Sequence, residues 1–379
     1  MESVLWVISG LLAVQLAFVL WNTSQFPRIP PGSKELPDAE GAPLRLSILI
    51  PARDEERNIE ACLYSIVEQN TAGLKYEVIV LNDRSSDGTG RLAENIASRY
   101  PQVRVLHGAE PPGGWTGKSY ACHQLAEAAG GNWLFFMDAD ARLEPGAVAA
   151  LLQFAEGQGN GVVTGFPRQE THSWMERLVV PMMMYTISCH LPVKLVRGTN
   201  DPRFAAAHGA ALLLHRDTYG AVGGHAAIAG ELVDDMALVR RAKLAGHPVT
   251  LAEMHPWVTM RMYRSGSEVW NGYKKNVFPG VGRNPFIMAG VLAWYGSLYV
   301  IPAVSMLLSW AAPHWLLPSV ICCLLAMLTK LRSDRVNGLP WIYAPGIALS
   351  AGLLVSIGLD SWYSSGAGRG YTWKGRRYL

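Results

Sequence analysis

Four acidic clusters hold most of the side chains that could do chemistry: "ARDEE" at 52–56, "NDRSSD" at 82–87, "DAD" at 138–140 and "ELVDD" at 231–235. Asp138 and Asp140 stand one residue apart. In extended chain two such acids point to the same side, where they can share a divalent cation that bridges a diphosphate. Asp234 and Asp235 are adjacent; two neighbouring carboxylates raise one another's pKa, which suits a general base. As structure alone, acids at a helix start are caps or favourable partners of the helix dipole, and Asp87 is expected to be only that. A fifth stretch, "PPGGWTGKS" at 111–119, imitates a triphosphate-binding loop. Gly117, Lys118 and Ser119 fit, but Pro112 stands where the first glycine belongs. Proline offers no N–H to a phosphate and cannot adopt the backbone angles glycine can. Triphosphate hydrolysis is therefore not expected.

These clusters need a scaffold that brings them together. From about Leu44 to Gly282, short apolar runs alternate with amphipathic helical patterns: "RLSILIP", "YEVIVLND", "VRVLHG" and "WLFFMDAD" read as successive strands. Such alternation predicts a mostly parallel α/β sheet with helices on both faces. Ligands in these sheets sit at the carboxyl ends of the strands, where three of the four acidic clusters fall. No GxGxxG follows the first strand, so hydride transfer is not expected.

The ordered set "ILIPARDEE", "VLNDRSSDGT", "WTGK", "FFMDADARLEPGAV" and "ELVDDMALVRRAKLAGHPV" resembles the family-2 inverting glycosyltransferases of GT-A fold, over about residues 46–276. "RMYRSGSEVWNGYKKN" and the tail "YTWKGRRY" are similar to membrane-bound members that glycosylate lipids, the ceramide-glucosyltransferase-like and carotenoid- or hopanoid-associated enzymes. The resemblance implies a UDP-sugar donor, with Pro51, Arg53, Glu55, Asp83, Trp115, Lys118 and Asp138 around it. Glu55 and Asp83 would hold the uridine. Asp138 would touch ribose or diphosphate, and Asp140, with Asp138, would ligate Mn2+ or Mg2+. The family often writes Asp-Asp-Gly-Ser where this chain has Asn82-Asp83-Arg84-Ser85. The missing glycine leaves the loop shape open.

Inverting transfer needs a deprotonated acceptor, in-line attack and a neutralised leaving diphosphate. The family's acid pair followed by Leu points to Asp235 as base, with Asp234 and Glu231 as neighbours. Polymerising members carry Gln/Arg-x-x-Arg-Trp; Arg261 and Arg264 keep that spacing, while Ser265 replaces the tryptophan. Its absence implies a single transfer. The rival readings are a processive polysaccharide synthase and a non-catalytic scaffold of the same fold. Lys274 and Lys275 read as membrane-surface charges, and His208 and His215 as structural residues.

Half of the 379 residues are hydrophobic and only 17% are charged, which is apolar for a soluble protein. Val4–Trp21, Phe286–Trp310, Trp315–Leu328 and Trp341–Leu359 have the length and character of membrane helices. Glu2 replaces the positive start of a signal peptide, so the first reads as an anchor. Almost no polar residue interrupts these spans, which argues against a transporter. The net charge of +3 without a long basic run predicts no nucleic-acid partner. The five cysteines lack CxxC spacing and read as ordinary buried thiols.

The expected division is an anchor at 1–22, a cytosolic catalytic domain at 44–282, membrane segments at 286–359 and a basic tail at 360–379. Within the catalytic domain, 174–196, broken by Pro181 and Pro192, reads as helices in the membrane interface, with Trp174 and Tyr185 at headgroup level. Flanking charges place the N-terminus outside: Arg28 and Lys34 after the first span, Lys330, Arg332 and Arg335 in the last inter-span loop. The tail, with Arg369, Lys374, Arg376 and Arg377, also favours the cytosol. Three crossings after a cytosolic domain would put it outside, a conflict removed if the segment with Pro340, Pro345 and Gly346 is re-entrant. A multi-pass protein of the cell membrane, acting on a lipid, is expected.

Overall fold

Strand β1 (Leu46–Ala52) consists almost wholly of buried residues, and so does β4 (Trp133–Phe136). A strand apolar on both faces needs cover on both, which only an interior position in a helix-flanked sheet provides. The computed structural model describes residues 1–32, 44–71, 73–366, 371–373 and 376–378. It contains two compact units, one of residues 25–168 and 192–261, the other of 1–24, 169–191 and 262–379.

In the first unit β1 and β4 are joined by β2 (Tyr76–Asn82), β3 (Val103–His107), β5 (Ala141–Leu143), β6 (Val162–Thr164), β7 (Arg168–Gln169), at which the chain leaves this unit, β8 (Leu212–His215), β9 (Val249–Leu251) and β10 (Val258–Met260). Among the described residues the main sheet runs β3-β2-β1-β4-β8-β6-β9. Only β8 is antiparallel to its neighbours. Chain order reverses between β1 and β4, and such a switch point opens a crevice beyond the strand ends. The register places Ala52 beside Asn82 and Leu49 beside Phe136, so the "ARDEE", "NDRSSD" and "DAD" loops leave the same edge. β5 and β10 pair antiparallel next to the last of these loops.

Apolar packing of the four spans onto one another organises the second unit. Helices Glu2–Thr23, Pro285–Leu307, Pro313–Val336 and Trp341–Ser365 are, among the described residues, long and apolar enough to cross a membrane. Ile8, Leu12 and Val19 of the first meet Tyr299, Cys322 and Ala351 of the others, and Met182, Tyr185 and Cys189 complete the cluster. Polar groups among them are satisfied internally, as hydrocarbon requires. Tyr185 donates to Tyr299 at 2.8 Å, and Tyr299 donates to Gln15 Oε1 at 2.6 Å. A π turn at Gly296–Val300 widens the second span just before Pro302, whose ring would otherwise press on the preceding turn.

Several sequence expectations change here. Tyr185 is fully buried among the spans rather than at headgroup level; Trp174 remains exposed. The segment divides into Trp174–Val179, Met182–His190 and Val193–Gly198, the last in the other unit. Residues 262–282, expected in the catalytic domain, belong with the spans because helix Gly266–Gly280 packs Val269 against Met175, Val179 and Ile357. Lys330 is no loop charge: it sits within helix Leu316–Val336, paired to Asp334. Lys274 pairs with Asp360 at 2.8 Å. The segment containing Pro340, Pro345 and Gly346 starts as a 3-10 turn, Trp341–Gly346, and continues as helix Ile347–Gly366. Lys34, Arg369 and Lys374 lie outside the described residues, as do the side chains of Arg376 and Arg377.

Candidate active site

The strand ends position the first group of acids. Asp83 N–H donates to Ala52 O at 2.8 Å, continuing the β1–β2 ladder by one residue. Arg53 donates to Asp83 O at 2.8 Å and so ties the two loops together. Glu55 is held from both sides: its N–H donates to Thr89 Oγ1 at 2.7 Å, and Asn58 donates to its Oε2 at 2.7 Å. Asp87 accepts from the N–H groups of Thr89 and Glu56; it precedes Gly88, the N-cap of helix Thr89–Ala97, and so ties the helix start to the Glu56 loop instead of capping it as expected.

Arg84, which replaces the family's glycine, has φ +56°. A non-glycine residue in that left-handed region carries strain of about 1–2 kcal/mol. The turn keeps the shape glycine would allow, with Arg84 absorbing the strain. Arg84→Gly is expected to stabilise the protein by up to about 1 kcal/mol, because relief of strain exceeds the extra chain entropy glycine loses on folding. The exposed Arg84–Glu110 pair that is lost contributes little. A thermal melt of the purified variant checks this.

Beyond β4 the acids do not lie on extended chain. Ala139 and Asp140 form a turn, closed by the Ala141 N–H donating to Asp138 O at 3.0 Å. The backbone between the two carboxylates is therefore a turn and not the extended chain that the same-side expectation assumed. Asp138 lines a small cavity with Pro51, Lys118, Met137, Asp234 and Asp235, whereas Asp140 is not in its lining. On helix Ile59–Val67, burial and then the charges of Asp140 and Glu55, with a smaller part from Asp138, push the Cys62 thiol far up.

Thr116 Oγ1 accepts the Ser119 N–H and starts helix Gly117–Ala128. This explains "WTGK" locally: threonine caps, and the lysine that follows stands on the first turn. The Lys118 ammonium reaches Asp138 Oδ1 at 2.7 Å. Burial alone would lower its pKa, but Asp138 and Asp234 hold it well above the ordinary value. Trp115 does not wall the cavity; its ring packs on Tyr120 and His123.

Asp234 and Asp235 form the first turn of helix Asp234–Leu244, as expected. Burial and the adjacent charge of Asp234 push the Asp235 carboxyl up to about 6. Glu231 is exposed and outside the cavity lining. Arg261 ends this unit, while Arg264 belongs to the other, its N–H donating to Glu268 at 2.8 Å. Ser265, in the place of the family's tryptophan, caps helix Gly266–Gly280 through Glu268 N–H.

Gly209 was missed by sequence reasoning. A Cβ there would lie 2.8 Å from Lys118 Nζ, 3.6 Å from Asp138 Oδ2 and 3.8 Å from Asp235 Oδ2. One cation and two acids from separate segments thus converge on Gly209, where a side chain would press on the Lys118 ammonium. Its signal in the sequence was the small-residue run "AAHGAA" before β8. Cys122 and His225 were also missed; both line the cavity. His208 accepts the Ala210 N–H on Nδ1 and His215 accepts that of Asp217, local structural roles. For a divalent cation, Asp138 and Asp140 supply carboxylate oxygens, the hard donors that Mn2+ and Mg2+ prefer.

The family profile for glycosyl transferase family 2 matches residues 47–212. The chain is 29% identical to the 4,4'-diaponeurosporenoate glycosyltransferase of Staphylococcus aureus strain MRSA252 over 344 residues, 88% of each chain. To that of strain USA300 it is 28% identical over the same coverage. Its fold is similar to that of the mannosyltransferase PcManGT from Pyrobaculum calidifontis in complex with GDP-Man and Mn2+, with TM-score 0.54 at 17% identity, covering 86% of this chain and 97% of that one. Acids at the carboxyl ends of a mostly parallel sheet thus stand in a chain whose residues 47–212 match glycosyl transferase family 2 and which is similar over most of its length to glycosyltransferases.

Proposed function

We propose that the enzyme transfers one sugar, glucose first among candidates, from a UDP-sugar to a lipid acceptor at the cytosolic membrane face, with inversion. The observation that supports it most is the convergence of Lys118, Asp138 and Asp235 around Gly209, beside the strand-end loops of Glu55 and Asp83. Glu55 and Asp83, both held by backbone contacts, would grip the uridine. Asp235 accepts the acceptor's proton: as a carboxyl pushed up to about 6, it is ionised at neutral pH yet more basic than an ordinary aspartate. Lys118 keeps Asp138 in place and lends positive charge near the leaving diphosphate. Asp138 and Asp140 would hold Mn2+ or Mg2+, which when bound neutralises that diphosphate. Arg261 adds charge to the same end of the reaction.

The lipid acceptor is supported by the four apolar helices and by the S. aureus relatives, which are named for 4,4'-diaponeurosporenoate. Single transfer is supported by Ser265, which caps a helix where polymerising members carry an aromatic ring.

Calorimetry on the full chain in detergent tests the donor site. Uptake of UDP-glucose is expected with Mn2+ and its loss with a chelator. Uptake of GDP-mannose in its place would overturn the donor assignment. Mass spectrometry of lipids from expressing cells tests the acceptor, and an unchanged lipid profile would overturn the lipid reading. A fourth crossing by Trp341–Ser365, supported over a re-entrant segment by its length, would leave both chain ends on the outer face. Cysteine labelling at the C-terminus from the outer face is expected; labelling only after lysis would restore the re-entrant segment.

A further inference from the structure

His225 is almost fully buried, takes no part in the chemistry above, and lies between two polar groups. Its Nε2 is 3.9 Å from Asp234 Oδ2, and its Nδ1 is 2.9 Å from the Tyr219 hydroxyl. The arrangement is built by its surroundings. Gly224 has φ +51°, and a Cβ there would stand 2.5 Å from the Tyr219 ring, so only glycine lets tyrosine and histidine come this close. Phe136 stacks on Tyr219 and meets His225 edge-on, fixing both rings.

We propose that Tyr219 and His225 are positioning residues for the acid pair, the tyrosine setting the histidine tautomer and the histidine aiming an N–H at Asp234. The hydrogen-bond inventory carries the assignment. The Tyr219 oxygen already accepts the His225 backbone N–H at 3.1 Å. Its one hydrogen is free for Nδ1, which puts the ring proton on Nε2, facing a carboxylate. The opposite tautomer would turn a lone pair toward Asp234, which is repulsive. Burial, helped by the charges of Lys118 and His123, keeps the ring neutral against the pull of Asp234, its pKa pushed down to about 4; Cys122 also faces it. A neutral donor orients Asp234 without cancelling its charge, and that charge adds to burial in raising Asp235. The separation is about 1 Å longer than a hydrogen bond, as catalytic contacts often are before substrate tightens them.

The inference rests on the reading of Asp235 as base, and its test separates the two. Long-range 1H–15N spectra of the full chain labelled with 15N-histidine read the tautomer without any turnover. His225→Phe identifies the resonance. A neutral ring with its proton on Nε2 is expected from pH 8 to about 5, moving toward the other tautomer in Tyr219→Phe. A protonated ring at pH 7, or a proton on Nδ1, would overturn the proposal whatever the activity. In kinetics, His225→Phe is expected to lower kcat about tenfold, the size of one hydrogen bond to a charged group. It should also move the acid limb of kcat/KM upward, since the ionised pair loses a donor. KM for the donor should stay unchanged, and His225→Gln, which retains an N–H donor, should recover most of kcat. Equal losses in Phe and Gln variants with an unmoved acid limb would reduce His225 to packing and overturn the proposal. An inactive wild type would instead overturn the reading of function.

Discussion

Asp235→Asn lowers kcat about 10²- to 10⁴-fold, the span usual for loss of a general base, while donor binding persists. The amide has the shape of the carboxylate but accepts no proton. In the wild type kcat/KM is expected to rise with pH through an apparent value of about 6, because below it the Asp235 carboxyl is protonated and cannot act as base. The variant loses that rise. Its stability changes in the opposite sense. A carboxyl whose folded value is raised from 3.8 to about 6 favours the folded state only while protonated. Ionising it costs stability as pH climbs through that interval, and the cost stays constant above it. Asp235→Asn should therefore melt higher than wild type above about pH 6, with the advantage vanishing below about pH 4. Turnover, a pH–rate profile and melts at two pH values check these outcomes. A variant with wild-type kcat would move the base to another group, with Asp234 the first to examine.

Asp334→Ala destabilises the membrane helices by about 3–5 kcal/mol, the cost of leaving a buried charge without its partner. Lys330 and Asp334 are 0% and 1% exposed and sit one turn apart on helix Leu316–Val336. The ammonium reaches both oxygens of the carboxylate, at 2.5 and 2.7 Å. Removing the acid leaves the cation near Cys189 with its side chain wholly buried in the spans. The paired replacement Lys330→Met with Asp334→Leu should recover most of the loss, since an apolar pair of similar volume needs no partner. Melts in detergent distinguish the two variants. If Asp334→Ala melts with the wild type, the charge has another route to water and the pair is not the anchor its burial suggests.

The strands and the spans were readable from local pattern, because each depends on the period and length of apolar residues within one segment. "RLSILIP" and "WLFFM" could be placed as strands and the acids after them as strand-end loops. The side chains of the site were less readable. Asp138 and Asp140 were expected on one face, but the chain turns at Ala139 because β5 must reverse to pair with β10, some 117 residues later in sequence. Trp115 carried a family position, yet its ring is taken up by Tyr120 and His123 of the helix that follows. Tyr185 looked interfacial by composition, but packing against Tyr299 buried it.

By itself the sequence determined a parallel α/β unit with acids at its strand ends, an acid pair opening a helix, and four segments able to cross a bilayer. Each follows from short-range periodicity, turn chemistry and capping, which act within a few residues. Only the tertiary structure decided which of these groups meet: Lys118 with Asp138, Gly209 between them and Asp235, and His225 against Asp234. Those meetings depend on the order in which strands are inserted into the sheet and on the space a glycine leaves. Neither is encoded in the spacing of the residues concerned.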